Sequence, residues 1–276
     1  MAWVMIFMKF KLIAVDIDGT LLNHEARLTE RTKKAAKAAM DAGAMFVLSS
    51  GRMPESLANI SRELNVNAPA VCYNGGAAVM VNTGEVMYKT PVSLELSKDI
   101  AVAAEEMGLY LHAFIKGGYI APEYNDKTAA YEKLSGMKAT VVNGKISENM
   151  TEAPMKLLII DTPEGAEKVL PVLQEKFKGR ASIMRSQKHL IECVDKNTSK
   201  AGALQFLIEK YGIKKEETIA FGDGQNDLEM LKWAGESYVM DNASDLVKNA
   251  DARFKIAPSN REDGVAQVLE ALLKDE

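Results

Sequence analysis

Cysteine is scarce, proline is thin, and no stretch of the chain is basic or continuously apolar over any great length. Each shortage excludes something. Two cysteines, Cys72 and Cys193, lie in separate apolar runs among 276 residues. They read as buried free thiols, not as a disulfide framework or a thiolate metal site, and a reducing, cytoplasmic setting follows. Lys and Arg number 34 against 38 Asp and Glu, for a net charge of −4. No basic stripe follows from that balance, so nucleic acid is not the expected partner. No run reaches the roughly 18 apolar residues of a membrane span. The opening segment, Met1 to Met8, is apolar but short, and lacks both a basic leader and a small-residue cleavage site. It reads as an extension or a misplaced start. There is no internal repeat and no low-complexity tract.

What is present is an alternation of short apolar runs with polar, helix-forming stretches. A strand is expected from Lys11 to Val15. A helix capped by Thr29 then runs to Asp41 and stops at Gly43. A second strand ends at Leu48, and Pro54 opens the next helix. A third strand spans Ala70 to Tyr73, and two short strands flank the turn at Asn82-Thr83-Gly84. The pattern then changes. Helices at Ser93–Met107 and Pro163–Phe177 mix with strands at Leu109–Ile115, Tyr119–Ala121, Ala139–Val142, Lys156–Ile160 and Ala181–Met184. Antiparallel turn signals among helices mark an α+β insertion. From His189 the alternating pattern returns, with a helix at Thr198–Tyr211, a strand at Thr218–Phe221 and a closing helix at Glu262–Lys274. The expected division is a discontinuous core, 1–81 plus 187–276, interrupted by an inserted unit, 82–186. The linkers near Val81–Glu85 and Ser186–His189 are the expected hinges.

The first strand delivers Asp16-Ile17-Asp18-Gly19-Thr20 at its C-terminal end, where open α/β sheets place ligands. Two carboxylates on a glycine-permitted turn make poor core and good chemistry. A carboxylate can hold Mg²⁺ or attack phosphorus. Three further ends carry polar groups: Ser50, Lys200, and the Asp223/Asp227 pair in Gly222-Asp223-Gly224-Gln225-Asn226-Asp227. Alone, each has a plain explanation. Ser50 reads as a helix N-cap, Lys200 as a surface lysine, Gly222-Asp223-Gly224 as a turn. An EF-hand is excluded because the ligands after Asp18 are missing, and a dinucleotide fingerprint because Asp227 stands at its third glycine. Together, in order, each at a sheet edge, they supply the inventory of phosphoryl transfer.

On these residues the chain resembles the haloacid dehalogenase superfamily, and more narrowly its Cof-type phosphatases with a C2-type cap. The first motif is Asp16 to Thr20, the second Ser50-Gly51-Arg52, the third Lys200 in Thr198-Ser199-Lys200-Ala201-Gly202, and the fourth Gly222 to Asp227. Ser49-Ser50 stands where Thr often precedes Gly-Arg, and Gly224 where Ser is frequent; neither removes a charged group. The resemblance implies an α/β fold, with a doubly wound, mostly parallel, Rossmann-like core and the insertion as cap. It implies a hydrolase of phosphoric monoesters acting on a small phosphorylated metabolite, a sugar phosphate or a nucleotide or cofactor phosphate. Asp16 would be the nucleophile and Asp18 the acid/base. Mg²⁺ would be held by Asp16, the Asp18 carbonyl and Asp223, with Asp227 binding it or orienting Lys200. Ser50 and Lys200 would hold phosphate oxygens. Gly19 and Thr20 would offer backbone donors, and Gly51, Arg52, Asn74 and Asn226 would contact phosphate or substrate. A phosphomutase using the same intermediate and a non-catalytic phosphometabolite-binding module are the alternatives. In the insertion, His112, Lys116, Tyr119, Arg185 and Lys188 are polar groups near strands and turns, each more simply a rim residue. His24 reads as a surface loop.

Overall fold

The computed structural model describes residues 9–66 and 68–274; the apolar segment Met1 to Met8 lies outside them. In chain order the first part comprises β1 (Leu12–Val15), α1 (Glu30–Asp41), β2 (Met45–Leu48), α2 (Pro54–Leu64), β3 (Ala70–Cys72), β4 (Ala77–Met80) and β5 (Glu85–Lys89). The middle comprises α3 (Leu94–Glu106), β6 (Tyr110–Ile115), β7 (Gly118–Ala121), α4 (Asp126–Ser135), β8 (Thr140–Val141), α5 (Ile146–Asn149), β9 (Lys156–Ile160), α6 (Pro163–Lys176), β10 (Ala181–Gln187) and β11 (Leu190–Asp195). The last part comprises α7 (Lys200–Tyr211), β12 (Thr218–Gly222), α8 (Leu228–Trp233), β13 (Glu236–Met240), α9 (Asp245–Lys248), β14 (Lys255–Ala257) and α10 (Gly264–Leu272).

A parallel sheet in the order β14-β13-β12-β1-β2 carries the site. Its central strands β1, β2 and β12 are apolar on both faces because helices cover both. Ile13 and Val15 of β1 pack with α1, α2 and α10 through Ala35, Leu57 and Val265. Leu12 and Ala14, pointing the other way, pack with α7 and α8 through Leu204 and Leu231. That alternation along one strand is the doubly wound arrangement expected from the sequence. A parallel bridge from Ser49 to Val71 sets β3 beside it. β3 also opens a small antiparallel sheet with β4 and β5.

The second large sheet runs β10-β11-β9-β6-β7-β8. It is antiparallel apart from the β7–β8 pair. One face packs on α3, α5 and α6 through Ile100, Ile146 and Leu173. From its other face Phe114, Leu158 and Leu190 join the apolar cluster that contains Leu48 and Tyr73.

Several expectations are corrected. The expected division starts the returning core at 187, which would place β11 in it. Instead β11 pairs with β9 and β10 in the six-stranded sheet. An apolar run says a strand is buried but not which strand it joins. At the other boundary β5, beyond 82, pairs with β4. Both expected hinges therefore sit at hairpin tips, 81–84 between β4 and β5 and 188–189 between β10 and β11. The chain crosses between the large sheets at 90–92 and 196–199. The helix α4 was not anticipated, although Asn125 caps it and Gly136 ends it in the left-handed region.

Candidate active site

The parallel strands β1, β2 and β12 end side by side, and their next residues are Asp16, Ser49 and Asp223. The register is tied at the edge itself: Asp16 N donates to the Phe221 carbonyl at 3.0 Å and Ser49 N to the Val15 carbonyl at 2.9 Å. After Asp16 the chain makes a wide turn closed by two i→i+5 bonds, Leu21 N to Asp16 O and Leu22 N to Ile17 O. Such turns recur at functional sites. Gly19 occupies φ +85°, and a Cβ there would stand 2.3 Å from Asp223 Oδ2. Glycine is therefore required twice at that position, by backbone and by space. Thr20 Oγ1 donates to Asp223 Oδ1 at 2.8 Å, so the turn that follows Asp16 also aims Asp223. Two asparagines that the sequence reading passed over brace this turn. Asn242 Nδ2 donates to the Gly19 carbonyl, and Asn260 Nδ2 to that of Leu22.

Lys200 is the first residue of α7, behind the cap of Ser199, which accepts from Gly202 N. Far from being a surface lysine, its side chain has no exposure. Its ammonium donates to Asp16 Oδ1 at 2.6 Å, Asp227 Oδ1 at 2.6 Å and the Ser49 carbonyl at 2.9 Å. Those three acceptors match its three protons. Burial lowers its pKa, but the two carboxylates outweigh that and raise it overall. Asp227 spends its other oxygen on the amides of Asp223 and Gly224, so it shapes the loop and orients Lys200.

The structure gathers Asp16, Asp223 and Asp227 closely enough that one carboxylate oxygen from each lies within 4.8 Å of the others. Burial, then the charge of Asp227, pushes Asp16 well above the usual carboxylate range despite Lys200. The same two causes push Asp223 up to about 6. Two crowded, desolvated carboxylates with one cation between three acids lack positive charge. Asp16 Oδ2 and Asp223 Oδ2 accept no hydrogen bond among the described residues. That donor set, hard oxygens with unspent lone pairs, suits a divalent cation of the Mg²⁺ kind.

Asp18 points elsewhere. Its side chain is 46% exposed and sits outside the three-acid group, held by Arg52 through Nε at 2.9 Å and Nη2 at 2.6 Å. Burial lowers the Arg52 pKa, but the bond to Asp18 and the charges of Asp18 and Asp16 together raise it overall. Ser50 lies beside this pair, its Oγ accepting from Arg52 N at 3.2 Å. The cap of α2 is Met53, not Ser50. Asp16, Asp18, Ser50, Gly51, Arg52, Asp223, Asn226 and Asp227 all line one cavity of about 200 Å³. Gly19, Thr20, Asn74 and Lys200 are outside its lining. Asn74 lies behind the lining and bridges it, donating to Glu192 and accepting from Asn226.

The roof comes from the six-stranded sheet and α4: Tyr131, Leu134, Ser135, Lys156, Leu190 and Glu192. None of the polar groups expected from that segment is among them. His112 is fully buried among the rings of Tyr110, Tyr119 and Tyr131, its pKa pushed down to about 4 by burial. Arg185 closes its own hairpin on the Lys188 carbonyl. Lys116, Lys188 and His24 are exposed and Tyr119 is buried. A signal for the missed residues was present: Lys156 opens the strand Leu157-Leu158-Ile159-Ile160, and Glu192 interrupts Leu190-Ile191…Cys193-Val194. Charges inside apolar strands are seldom idle.

Comparison with known proteins agrees with this geometry. The family profile described as haloacid dehalogenase-like hydrolase matches residues 13–269. The Thermotoga maritima protein TM0651, solved by crystallography, is 31% identical, covering 95% of this chain and 97% of its own, with a TM-score of 0.81. A crystal structure of a haloacid dehalogenase-like hydrolase from Bacteroides thetaiotaomicron is 29% identical, covering 95% and 99%, with a TM-score of 0.84. The 5-amino-6-(5-phospho-D-ribitylamino)uracil phosphatase YitU of Bacillus subtilis is 29% identical over 266 residues, 94% of this chain and 96% of that protein. The chain belongs to the haloacid dehalogenase-like hydrolases, in their Cof-type phosphatase branch.

Proposed function

We propose that the protein is a Mg²⁺-dependent phosphatase that hydrolyses a small phosphorylated metabolite through an aspartyl-phosphate on Asp16. The observation that carries this reading is the convergence of Asp16, Asp223 and Asp227, with Lys200 bonded behind Asp16 and Asp227, on a cavity that Asp18 also lines. Asp16 attacks phosphorus as the bond to the leaving oxygen breaks, and Asp18 gives that oxygen a proton. Asp18 then takes a proton from water as the water attacks phosphorus, the Asp16–phosphorus bond breaks, and phosphate leaves. Lys200 holds Asp16 in place, while Ser50 and Arg52 face the phosphoryl oxygens. Asp16 and Asp223 would hold the cation, whose charge lets an anionic phosphoryl group approach an anionic nucleophile.

The six-stranded sheet with α3 to α6, from Val92 to Asp195, acts as the cap, and the remainder as the core. A cavity of about 200 Å³ is small beside the roughly 300–1,000 Å³ of drug-sized ligand pockets. It favours a compact leaving group. The substrate named for YitU, a phosphorylated ribityl compound, is one member of the panel to test. No helix among the described residues is long and apolar enough to cross a membrane. Two buried free thiols suit a reducing, cytoplasmic setting.

The test is phosphate release with and without Mg²⁺ over sugar phosphates, nucleotides, pyridoxal phosphate, flavin mononucleotide and that ribityl compound. Turnover is expected only with the metal. Asp16→Asn and Asp16→Ala are expected to fall by about 10³-fold or more while circular dichroism stays unchanged. Release by folded Asp16→Ala overturns the nucleophile assignment, and isomerised product without free phosphate replaces hydrolysis by a mutase reaction.

A further inference from the structure

Lys156 and Glu192 form an ion pair of 3.2 Å with only 2% and 5% of their side chains exposed. They stand on β9 and β11, neighbours in the six-stranded sheet, and both reach across to the parallel-sheet unit. Lys156 Nζ donates to the Gly51 carbonyl at 2.8 Å. Glu192 Oε2 accepts from Asn74 Nδ2 at 2.7 Å, and Asn74 Oδ1 accepts from Asn226 Nδ2 at 3.1 Å.

These partners are the loops that flank Asp16. The Gly51 carbonyl and the Arg52 amide belong to one planar peptide group. Lys156 holds its oxygen and Ser50 Oγ its N–H. The orientation of that plane thus sets Ser50 and Arg52 together. At the other end Asn226 adjoins Asp227, which supports Lys200. A buried ion pair is weak evidence for stability, since apolar residues of similar volume often serve as well. The Lys156 ammonium also lies 4.6 Å from the centre of the Phe114 ring, in surroundings that would accept such a replacement.

We infer that Lys156 and Glu192 are positioning residues that set the Ser50–Arg52 and Asn226–Asp227 loops in working geometry when the six-stranded unit is seated on them. The activity half of the test rests on the phosphatase reading; the exchange half does not. With p-nitrophenyl phosphate and Mg²⁺, Lys156→Met and Glu192→Leu are each expected to lower kcat by about 10–100-fold, with KM moving much less. Each also leaves a buried charge unpaired and lowers Tm. The double variant is expected to regain Tm and not kcat, because Gly51 and Asn74 still lack partners. Glu192→Gln, which keeps an acceptor for Asn74, should retain more kcat than Glu192→Leu. A double variant that recovers both Tm and kcat overturns the inference and leaves a purely structural pair. If the unaltered protein releases no phosphate, the phosphatase reading fails by itself. Amide exchange then decides: residues 50–53 and 223–227 should exchange faster in the double variant, and unchanged rates overturn the inference.

Discussion

Asp16 and Asp223 hold protons more tightly in the folded chain than free carboxylates do, and the sign of that effect is testable. The Asp223 pKa rises from 3.8 to about 6, first through burial and then through the Asp227 charge. Between those values the folded state binds more protons than the unfolded state, so stability falls as pH rises. Asp16 shifts in the same direction. A metal-free sample should therefore lose roughly 2 kcal/mol between pH 4 and pH 6 from Asp223 alone. His112, whose pKa burial pushes down to about 4, gains about as much over the same range, so the Asp223 loss is read as the difference between metal-free melts of the unaltered protein and of Asp223→Asn, several degrees at about 2–4 °C per kcal/mol for a chain of this size. If Asp16 and Asp223 hold the cation as proposed, it would take them ionised, and Mg²⁺ should raise Tm more at pH 7.5 than at pH 5. Thermal melts in EDTA and in Mg²⁺ across this range check both statements. An equal Mg²⁺ effect at the two pH values would remove Asp16 and Asp223 as the metal's holders. These acids were legible in the sequence because each abuts an apolar strand, where a charge has no packing reason to be. The Arg52–Asp18 pair was only half legible. The sequence offers two charges 34 positions apart, and folding alone brings them to bidentate distance.

A helix end fixes Lys200 at the element scale, and Gly75 fixes the helix end. Gly75 lies at φ +100°, and a Cβ there would fall 2.0 Å from the Ser199 carbonyl and 2.7 Å from Lys200 N. Backbone cannot yield as a flexible side chain does, so Gly75→Ala must push the start of α7 away. The positive φ adds about 1–3 kcal/mol of strain. The expected outcome is a lowered Tm and a fall in kcat of about 100-fold, the usual cost of displacing a positioned group by an ångström. Phosphate release with a melt on the same sample checks it. Unchanged kcat would mean that Lys200 tolerates displacement. The same scale shows where the sequence stopped being readable. The strands and helices of the parallel sheet were visible because period and breakers agree: Thr29 caps α1, Pro54 opens α2, and Asn65 ends α2 in the left-handed region. Helix α4 escaped because its buried face is Thr128 and Glu132, so it lacks an apolar stripe. Its caps, Asn125 and Gly136, were the usable signal. For β11 the strand was legible and its partners were not, since pairing with β9 and β10 is decided by long-range packing.

The six-stranded unit, proposed above as a cap, meets the parallel-sheet unit through a seam that is partly apolar and partly ionic, and this mixture bears on whether the molecule opens. Phe114 of β6 meets Tyr73 edge-on at 6.4 Å, and Ser56 Oγ of α2 donates to the Ser135 carbonyl of α4. Lys156 and Glu192 complete the contact. Interfaces of this polarity between units of one chain resemble transient protein–protein contacts, for which relative motion is the default. The cavity of about 200 Å³ lies beneath that seam, so parting of the seam would open it to a substrate. The backbone that must turn lies at 90–92 and 196–199, not at the hairpin tips favoured by the sequence. Thr90 N is tied to the Gly76 carbonyl and Val92 N to that of Pro154, which confines the pivot to a short stretch between core and cap. Solution X-ray scattering should therefore give the ligand-free enzyme a larger radius of gyration than the arrangement described here, and Mg²⁺ with orthovanadate should shrink it. Lys156→Met/Glu192→Leu, which lacks the ionic part of the seam, should stay expanded with both ligands present. Superimposable curves for all three samples would mean that the two units do not part, and would overturn the opening.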